Sequence, residues 1–347
     1  MRKHWIALLL AALLLFPLAG LAQGDDEEVS IVIYDQHGKE LTGENAASGE
    51  PEAGEPTPEP TPDKTKAVYQ ADGSILLTMS FTGDVTIGSN VQAKGTSIFE
   101  KELAKQNGDV NFPFRNVKEI FDADDFTMVN FEGTLTTATK KNPKKADYSF
   151  LFRADPSYVS MLPYGGVDAV AFENNHADDM GEQGLADTKQ TLLDAGISYA
   201  SEDEPAIVTV KGVTLGCLAY QTFGGRHDKL IEKIPGDVAA LRQKGCEVIV
   251  VNFHWGDEED YAPNQNQVRL GRATIDAGAD LVVGHHSHRI NPIEYYNGKY
   301  ICYSLGNFSF AGNSKPKDMS TFIFQIRMRV KDGAATSDAI KIIPSRI

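Results

Sequence analysis

Cysteine is scarce in this chain: Cys217, Cys246 and Cys302 are the only three in 347 residues, and none belongs to a CxxC pair. The missing pairs exclude a zinc ribbon. The odd count excludes a fully paired disulfide framework. Each cysteine sits in or beside an apolar run, so buried thiols acting as small hydrophobes are expected; a single disulfide stays open as the alternative. Basic charge is also short. Lys plus Arg number 33 against 48 Asp plus Glu, a formal net charge of −15. A nucleic-acid partner would need a basic face against phosphates, so none is expected. Simple adhesion to anionic lipid is disfavoured on the same ground. Much of the acidity lies in the first third and describes a tail more than a fold.

Three regions follow one another. Arg2, Lys3 and His4 precede an apolar run from Trp5 to Leu21, interrupted by Pro17 and Gly20, and Gly20-Leu21-Ala22 offers small residues. Residues 1–22 therefore read as a signal peptide, with an uncleaved membrane anchor as the alternative. Either way the remainder is expected to be exported, extracellular or held at the cell envelope. Residues 23–66 form an acidic, Pro-rich linker, with Asp25-Asp26-Glu27-Glu28 and the Glu55–Pro62 stretch. Like charges and proline favour an extended, disordered segment. Val29 to Tyr34 interrupts it as a candidate isolated strand. Residues 67–347 carry the folded domain.

Within that domain apolar, β-branched runs begin at Ile75, Phe126, Val167, Val213, Glu247 and Asp280. Their composition fits strands buried on both faces. Helical patterns lie between them: Gln183 to Ala195 stopped by Gly196, Val238 to Lys244 before Gly245, and Gln265 to Ala277 before Gly278. Asn297-Gly298 between tyrosine-rich runs predicts a hairpin with a type I′ turn. The alternation predicts α/β layers around a central sheet.

The polar residues fall where these strands end. Asp84, Glu132, Asn175-His176, His254 and the cluster His285, His286 and His288 each close an apolar run. In open α/β sheets ligands bind beyond the carboxyl ends of strands. Taken singly each has a bland reading: a turn cap for Asp84, a solvated loop for Glu132, an Asx turn for Asn174-Asn175, a structural histidine for His254. Three imidazoles in four residues are harder to explain as structure, because burying them unpaired is costly and imidazole is the commonest side-chain metal ligand.

The strings Phe81-Thr82-Gly83-Asp84, Asn130-Phe131-Glu132-Gly133, Asn174-Asn175-His176 with Asp179 and Gly181, His254-Trp255-Gly256, Gly284-His285-His286-Ser287-His288 and Ser304-Leu305-Gly306-Asn307-Phe308 resemble the CapA family of capsule and poly-γ-glutamate synthesis proteins. The resemblance runs in order from about Ile75 to about Phe310. It implies a calcineurin-like metallophosphoesterase fold, a four-layer α/β/β/α sandwich. It also implies divalent metal ions, two of them, Mn, Fe or Zn. Asp84 would hold one metal, Glu132 would stand for a bridging carboxylate, and Asn175 would hold the second. His254, His286 and His288 would complete the shell, with His285 as the alternative to His286. His176 would protonate a leaving group. Asp179 would orient that histidine or cap the following helix, the cap being slightly preferred. Asn307 would support the site, and Arg153 would meet an anionic substrate, a surface ion pair being an equal alternative. Two positions depart from ordinary metallophosphoesterases: Thr86 replaces a histidine and Glu132 an aspartate. The function implied is a metal-dependent hydrolase of a phosphoester or an anionic envelope polymer. The alternative is a non-catalytic accessory or anchoring subunit that works with membrane-bound polymer-synthesis subunits.

Overall fold

The computed structural model describes residues 30–34, 40–41, 63–95, 97–145, 150–312 and 316–347. The candidate signal or anchor and most of the acidic linker lie outside the described residues, and with them the expected disorder there. Among the described residues no helix is long and apolar enough to cross a membrane.

Two sheets build the body. The larger, nine-stranded sheet runs in the order Glu40–Leu41, Ser30–Tyr34, Ala334–Arg346, Ser320–Lys331, Ile75–Thr86, Phe126–Glu132, Ala169–Ala171 and Ser198–Ala200, with Asn307–Phe310 paired beside the far end of Ile75–Thr86. The second, six-stranded sheet runs Ala206–Val210, Val213–Gln221, Val248–His254, Leu281–His285, Lys299–Cys302 and Ile293–Tyr296. Strand side chains alternate between faces, and the alternation sorts them into layers. Leu77, Met79 and Phe81 meet Cys217, Ala219, Val248 and Val250 in the core between the sheets. Val85, Val129 and Phe131 face the other way, against Phe99, Phe121 and Leu192 of the helices Ile98–Lys105, Lys118–Asp122 and Gly181–Asp194. Leu218, Tyr220, Ile249 and Val251 cover the second sheet's outer face, against Leu230, Ile234 and Leu270 of the helices His227–Gln243 and Gln265–Asp276. The result is the α/β/β/α sandwich that the family resemblance implies, with two sheets where the strand–helix alternation suggested one central sheet. The three cysteines are buried and free.

Three local outcomes differ from expectation. The run read as an isolated strand is Ser30–Tyr34, and it pairs in parallel with Ala334–Arg346. The helix read as starting at Val238 begins at His227 and carries Pro235 inside it; a proline breaks the helical pattern in sequence, yet Ile234 and Val238 still reach the core on either side of it. The hairpin Ser320–Lys331 and Ala334–Arg346 was not anticipated. Asp332 and Gly333 turn it with φ of 51° and 78°, the Asp-Gly signal of a type I′ turn. The Asn297-Gly298 turn is present as expected, with φ of 49° and 77°.

Candidate metal centre

Parallel pairing brings distant residues side by side. Asp84 is in register with Asn130 on one neighbouring strand and with Asn307 on the other, and Thr86 with Glu132. In the second sheet His254 is in register with His285. Glu132, His254 and His285 end their strands, Asp84 lies two residues before the end of its own, and Asn175, His176, His286 and His288 follow theirs, so one edge of the sandwich collects them. A bulge between Phe81 and Asp84 shifts the register there. Gly83 allows it: a Cβ at this position would lie 1.8 Å from the Gly306 carbonyl oxygen, and that same oxygen accepts from the Asp84 amide at 2.9 Å.

Two ligand sets result. Asp84, Glu132 and His254, all buried, place one ligand atom each within 4.8 Å of the others. Glu258, His286 and His288 do the same. The sets adjoin: His288 Nδ1 lies 3.0 Å from Asp84 Oδ2, and the His254 and His286 ring centroids are 4.6 Å apart. His254 Nε2 lies 2.8 Å from Asn175 Oδ1 and 3.3 Å from Glu132 Oε1. His286 and His288 hold φ of 92° and 54°, a region that L side chains seldom adopt and that concentrates at functional sites. Ser287 fixes this strained turn, its hydroxyl donating to the Arg289 carbonyl and accepting from the Arg289 amide.

The residues fit a divalent cation. Both ring nitrogens of His285, Nδ1 of His286 and Oδ1 of Asn307 are buried without a hydrogen-bond partner among the described residues. Orphaned buried acceptors are costly, and imidazole, carboxylate and amide donors without thiolate suit Zn, Mn or Fe. The charge pattern agrees. Burial, and then the Asp84 charge, pushes the Glu132 carboxyl up to about 8. Burial holds His285 and His286 down at about 4 and His254 well below the usual imidazole value. Burial also opposes a charged His288, but the bond it donates to Asp84 and the Glu132 charge outweigh it and raise it to about 9. Lone pairs on the neutral imidazoles of His254, His285 and His286 stand ready for a cation, whereas His288 would release its proton to serve as a ligand.

Beside the ligand sets lie two cavities. One, of about 570 Å³, is lined by Lys145, Asn175, His176, Phe223, Glu258 and His286 among others. The second, of about 180 Å³, is lined by Glu132, His176, His288, Arg289, Asn307 and Lys317 among others. His176 borders both. Its Nδ1 lies 2.9 Å from Asp179 Oδ2, which also accepts from the Phe152 amide at 2.6 Å. The other Asp179 oxygen takes Lys145 Nζ at 3.0 Å. The following helix has Met180 at its N-cap and no side-chain cap, so the preferred reading of Asp179 as a helix cap is replaced by its contact with His176. Arg153 lies apart from these residues. Its guanidinium donates to the Ala138 carbonyl at 2.9 Å, and it lines neither cavity.

Three residues were missed in sequence. Asn130 donates to Asp84 Oδ1 at 2.8 Å and to Glu132 Oε1 at 3.4 Å, and lies 3.4 Å from His254 Nδ1. Its position two before Glu132, on the same strand face, was the available signal. Glu258 joins His286 and His288 from an exposed loop, where nothing but the acidic run Asp257-Glu258-Glu259-Asp260 after His254-Trp255-Gly256 hints at it. Lys145 reaches the Asn175 carbonyl at 2.6 Å; no pattern singles it out among its neighbouring lysines. Thr86, the departure from the ordinary motif, donates to Glu132 Oε2 at 3.2 Å and so stays within the site.

A double-sheet sandwich whose strand ends gather two adjoining His and carboxylate sets defines an α/β/β/α protein with a candidate two-cation centre. By sequence, residues 78–311 match the family described as Bacterial capsule synthesis protein PGA_cap, and the chain belongs to that family. It is 34% identical over 271 residues to "PGA biosynthesis protein CapA" of Bacillus subtilis (strain 168), covering 73% of this chain and 68% of that one. It is 30% identical over 288 residues to "Capsule biosynthesis protein CapA" of Bacillus anthracis, covering 77% and 67%. A Mycobacterium tuberculosis relative, "Probable polyglutamine synthesis accessory protein", is 31% identical over 214 residues, covering 53% and 55%. Among solved structures, the calcineurin-like phosphoesterase YfkN from Bacillus subtilis superposes with a TM-score of 0.45 at 15% identity, over 79% of this chain and 91% of that one.

Proposed function

We propose that this member of the capsule-synthesis family is an exported, envelope-held hydrolase that acts on a phosphoester or an anionic envelope polymer and requires two divalent cations. The observation that carries the reading is the adjacency of the two ligand sets, Asp84/Glu132/His254 and Glu258/His286/His288, beside a histidine held by a buried carboxylate. Asn175 joins the first set through His254. When bound, such ions supply Lewis acidity and an activated water. The chain's own residues do the rest. Asn130 fixes the carboxylates of Asp84 and Glu132 against each other. Asp179 fixes Nδ1 of His176, which leaves Nε2 to pass a proton to a departing oxygen as general acid. Lys145 secures Asp179 and the backbone of Asn175 in one contact set.

A second reading, an accessory subunit without catalysis, draws support from the relative named an accessory protein. One experiment separates them. Purified full chain is analysed for metal content and for hydrolysis of a generic phosphodiester, alongside His286→Ala and His176→Ala. The hydrolase reading expects about two divalent ions per chain, lost metal and activity in His286→Ala, and retained metal with activity down at least about 100-fold in His176→Ala. A metal-free chain sinks it. Bound metal without turnover, together with polymer synthesis in cells carrying His176→Ala, establishes the accessory reading instead.

A further inference from the structure

Arg289 belongs to none of the ligand sets, yet it is the most deeply buried cation beside them. Its side chain is 5% exposed and it lines the 180 Å³ cavity together with His176, His288, Asn307 and Lys317. Its Nε has no acceptor among the described residues. Nη1 donates to the His288 carbonyl at 2.8 Å, which ties the guanidinium to the strained histidine turn. The ring of Tyr261 lies 5.7 Å from the guanidinium carbon, and Tyr261 is itself held by Asp318. The carboxylate paired with Arg289 is that of Glu259, 3.4 Å away and 56% exposed. Lys317 shares it at 2.8 Å. One solvated carboxylate thus serves two cations, one of them buried. Buried guanidinium groups are held by fork-shaped oxyanion partners in preference to a single long contact. Glu259 stands at φ 68° on its loop, a conformation seldom taken by residues with a Cβ.

We infer that Arg289, assisted by Lys317, is an oxyanion subsite of the cleft, and that Glu259 occupies it in place of a substrate phosphoryl or carboxylate group. This rests on the proposed hydrolase reading for its place in a reaction, but not for its binding chemistry. Guanidinium recognises either oxyanion bidentately, so the two sources are distinguished by the probe. Binding of inorganic phosphate and of glutarate to the full chain is measured by calorimetry, with metal content and thermal unfolding recorded for every variant. Arg289→Gln weakens binding of the preferred anion by about tenfold or more, and Lys317→Ala by about threefold. Glu259→Gln tightens it by about threefold or more, because the competing carboxylate is gone. Arg289→Lys, which keeps the charge but not the fork, recovers only part of the affinity. A purely structural arginine predicts no tightening in Glu259→Gln. Unchanged anion affinity in folded Arg289→Gln, or no gain in Glu259→Gln, overturns the inference. A chain that binds no metal but keeps both effects overturns the hydrolase reading alone.

Discussion

Asp179 shows how much one side chain can organise. It is fully buried, and its two oxygens hold the His176 ring, the Phe152 amide and the Lys145 ammonium. A carboxylate behind a histidine fixes the tautomer and ring orientation. Asp179→Asn keeps the shape but offers an amide where a carboxylate took the Nδ1 proton. If the proposed hydrolase reading holds, the expected outcome is a fall in kcat of about 10–100-fold with KM and metal content little changed. Steady-state kinetics with parallel metal analysis check it; equal losses in metal and activity would instead place Asp179 in the scaffold of the ligand sets. Asn130 acts at the same scale with no charge at all. It is an amide between two acids and an imidazole, and its pairing lets Asp84 and Glu132 approach.

At the scale of elements, the site depends on strands coming unusually close. Trp255 follows His254, is fully buried, stacks on Phe253 and donates to the Tyr303 carbonyl at 2.9 Å. Gly284 lies in the same contact. A Cβ there would lie 2.1 Å from the Tyr303 carbonyl oxygen and 2.4 Å from Trp255 Nε1. Neither can retreat, since one is backbone and the other is bonded to it. Gly284→Ala therefore displaces His285 and its neighbours and is expected to destabilise the protein by about 2–4 kcal/mol with loss of metal binding. Denaturant unfolding and metal titration test this. A variant as stable as the parent would mean that these strands can part without loss.

For the whole molecule, the edge opposite the site carries its own electrostatic consequence. Asp124 is buried at the start of the strand whose other end bears Glu132. Burial pushes its carboxyl up to about 7, more than the bonds from Ser80 and Thr127 and the Lys64 ammonium 3.6 Å away can offset. The folded value exceeds the unfolded one, so the folded chain holds the proton more tightly. This group's contribution to stability is therefore fully present below about pH 4 and is lost as pH rises through about 7. Asp124→Asn removes that slope and should stabilise the protein relative to the parent by more at pH 8 than at pH 5, the difference being at most about 3 kcal/mol. Chemical denaturation at the two pH values decides it, and parallel profiles would refute it. The same edge receives the described start of the domain, through the ion pairs of Lys64 with Asp124 and Asp168.

The α/β layering was legible in the sequence because buried strands announce themselves as apolar runs and turns as Gly and Asn-Gly, although the Asp332-Gly333 signal went unread. The candidate ligands Asp84, Glu132, Asn175, His254, His286 and His288 were legible for a related reason: a polar residue that closes an apolar strand has one available location, the sheet's edge. The sequence did not disclose that the hairpin Ser320–Lys331 and Ala334–Arg346 inserts between Ser30–Tyr34 and Ile75–Thr86, because strand order is a matter of long-range pairing, which local pattern does not encode. Nor did it disclose Glu258, Lys145 or Arg289 at the cleft, since each arrives on a loop or turn whose path is set by the packed strands beneath it. The sequence alone determined which residue types stand at the strand ends and so what chemistry they can offer. Tertiary structure alone decided how they divide into two adjoining ligand sets and which cation is left facing a single carboxylate, because those outcomes depend on distances between groups up to two hundred residues apart, and only register and packing determine them.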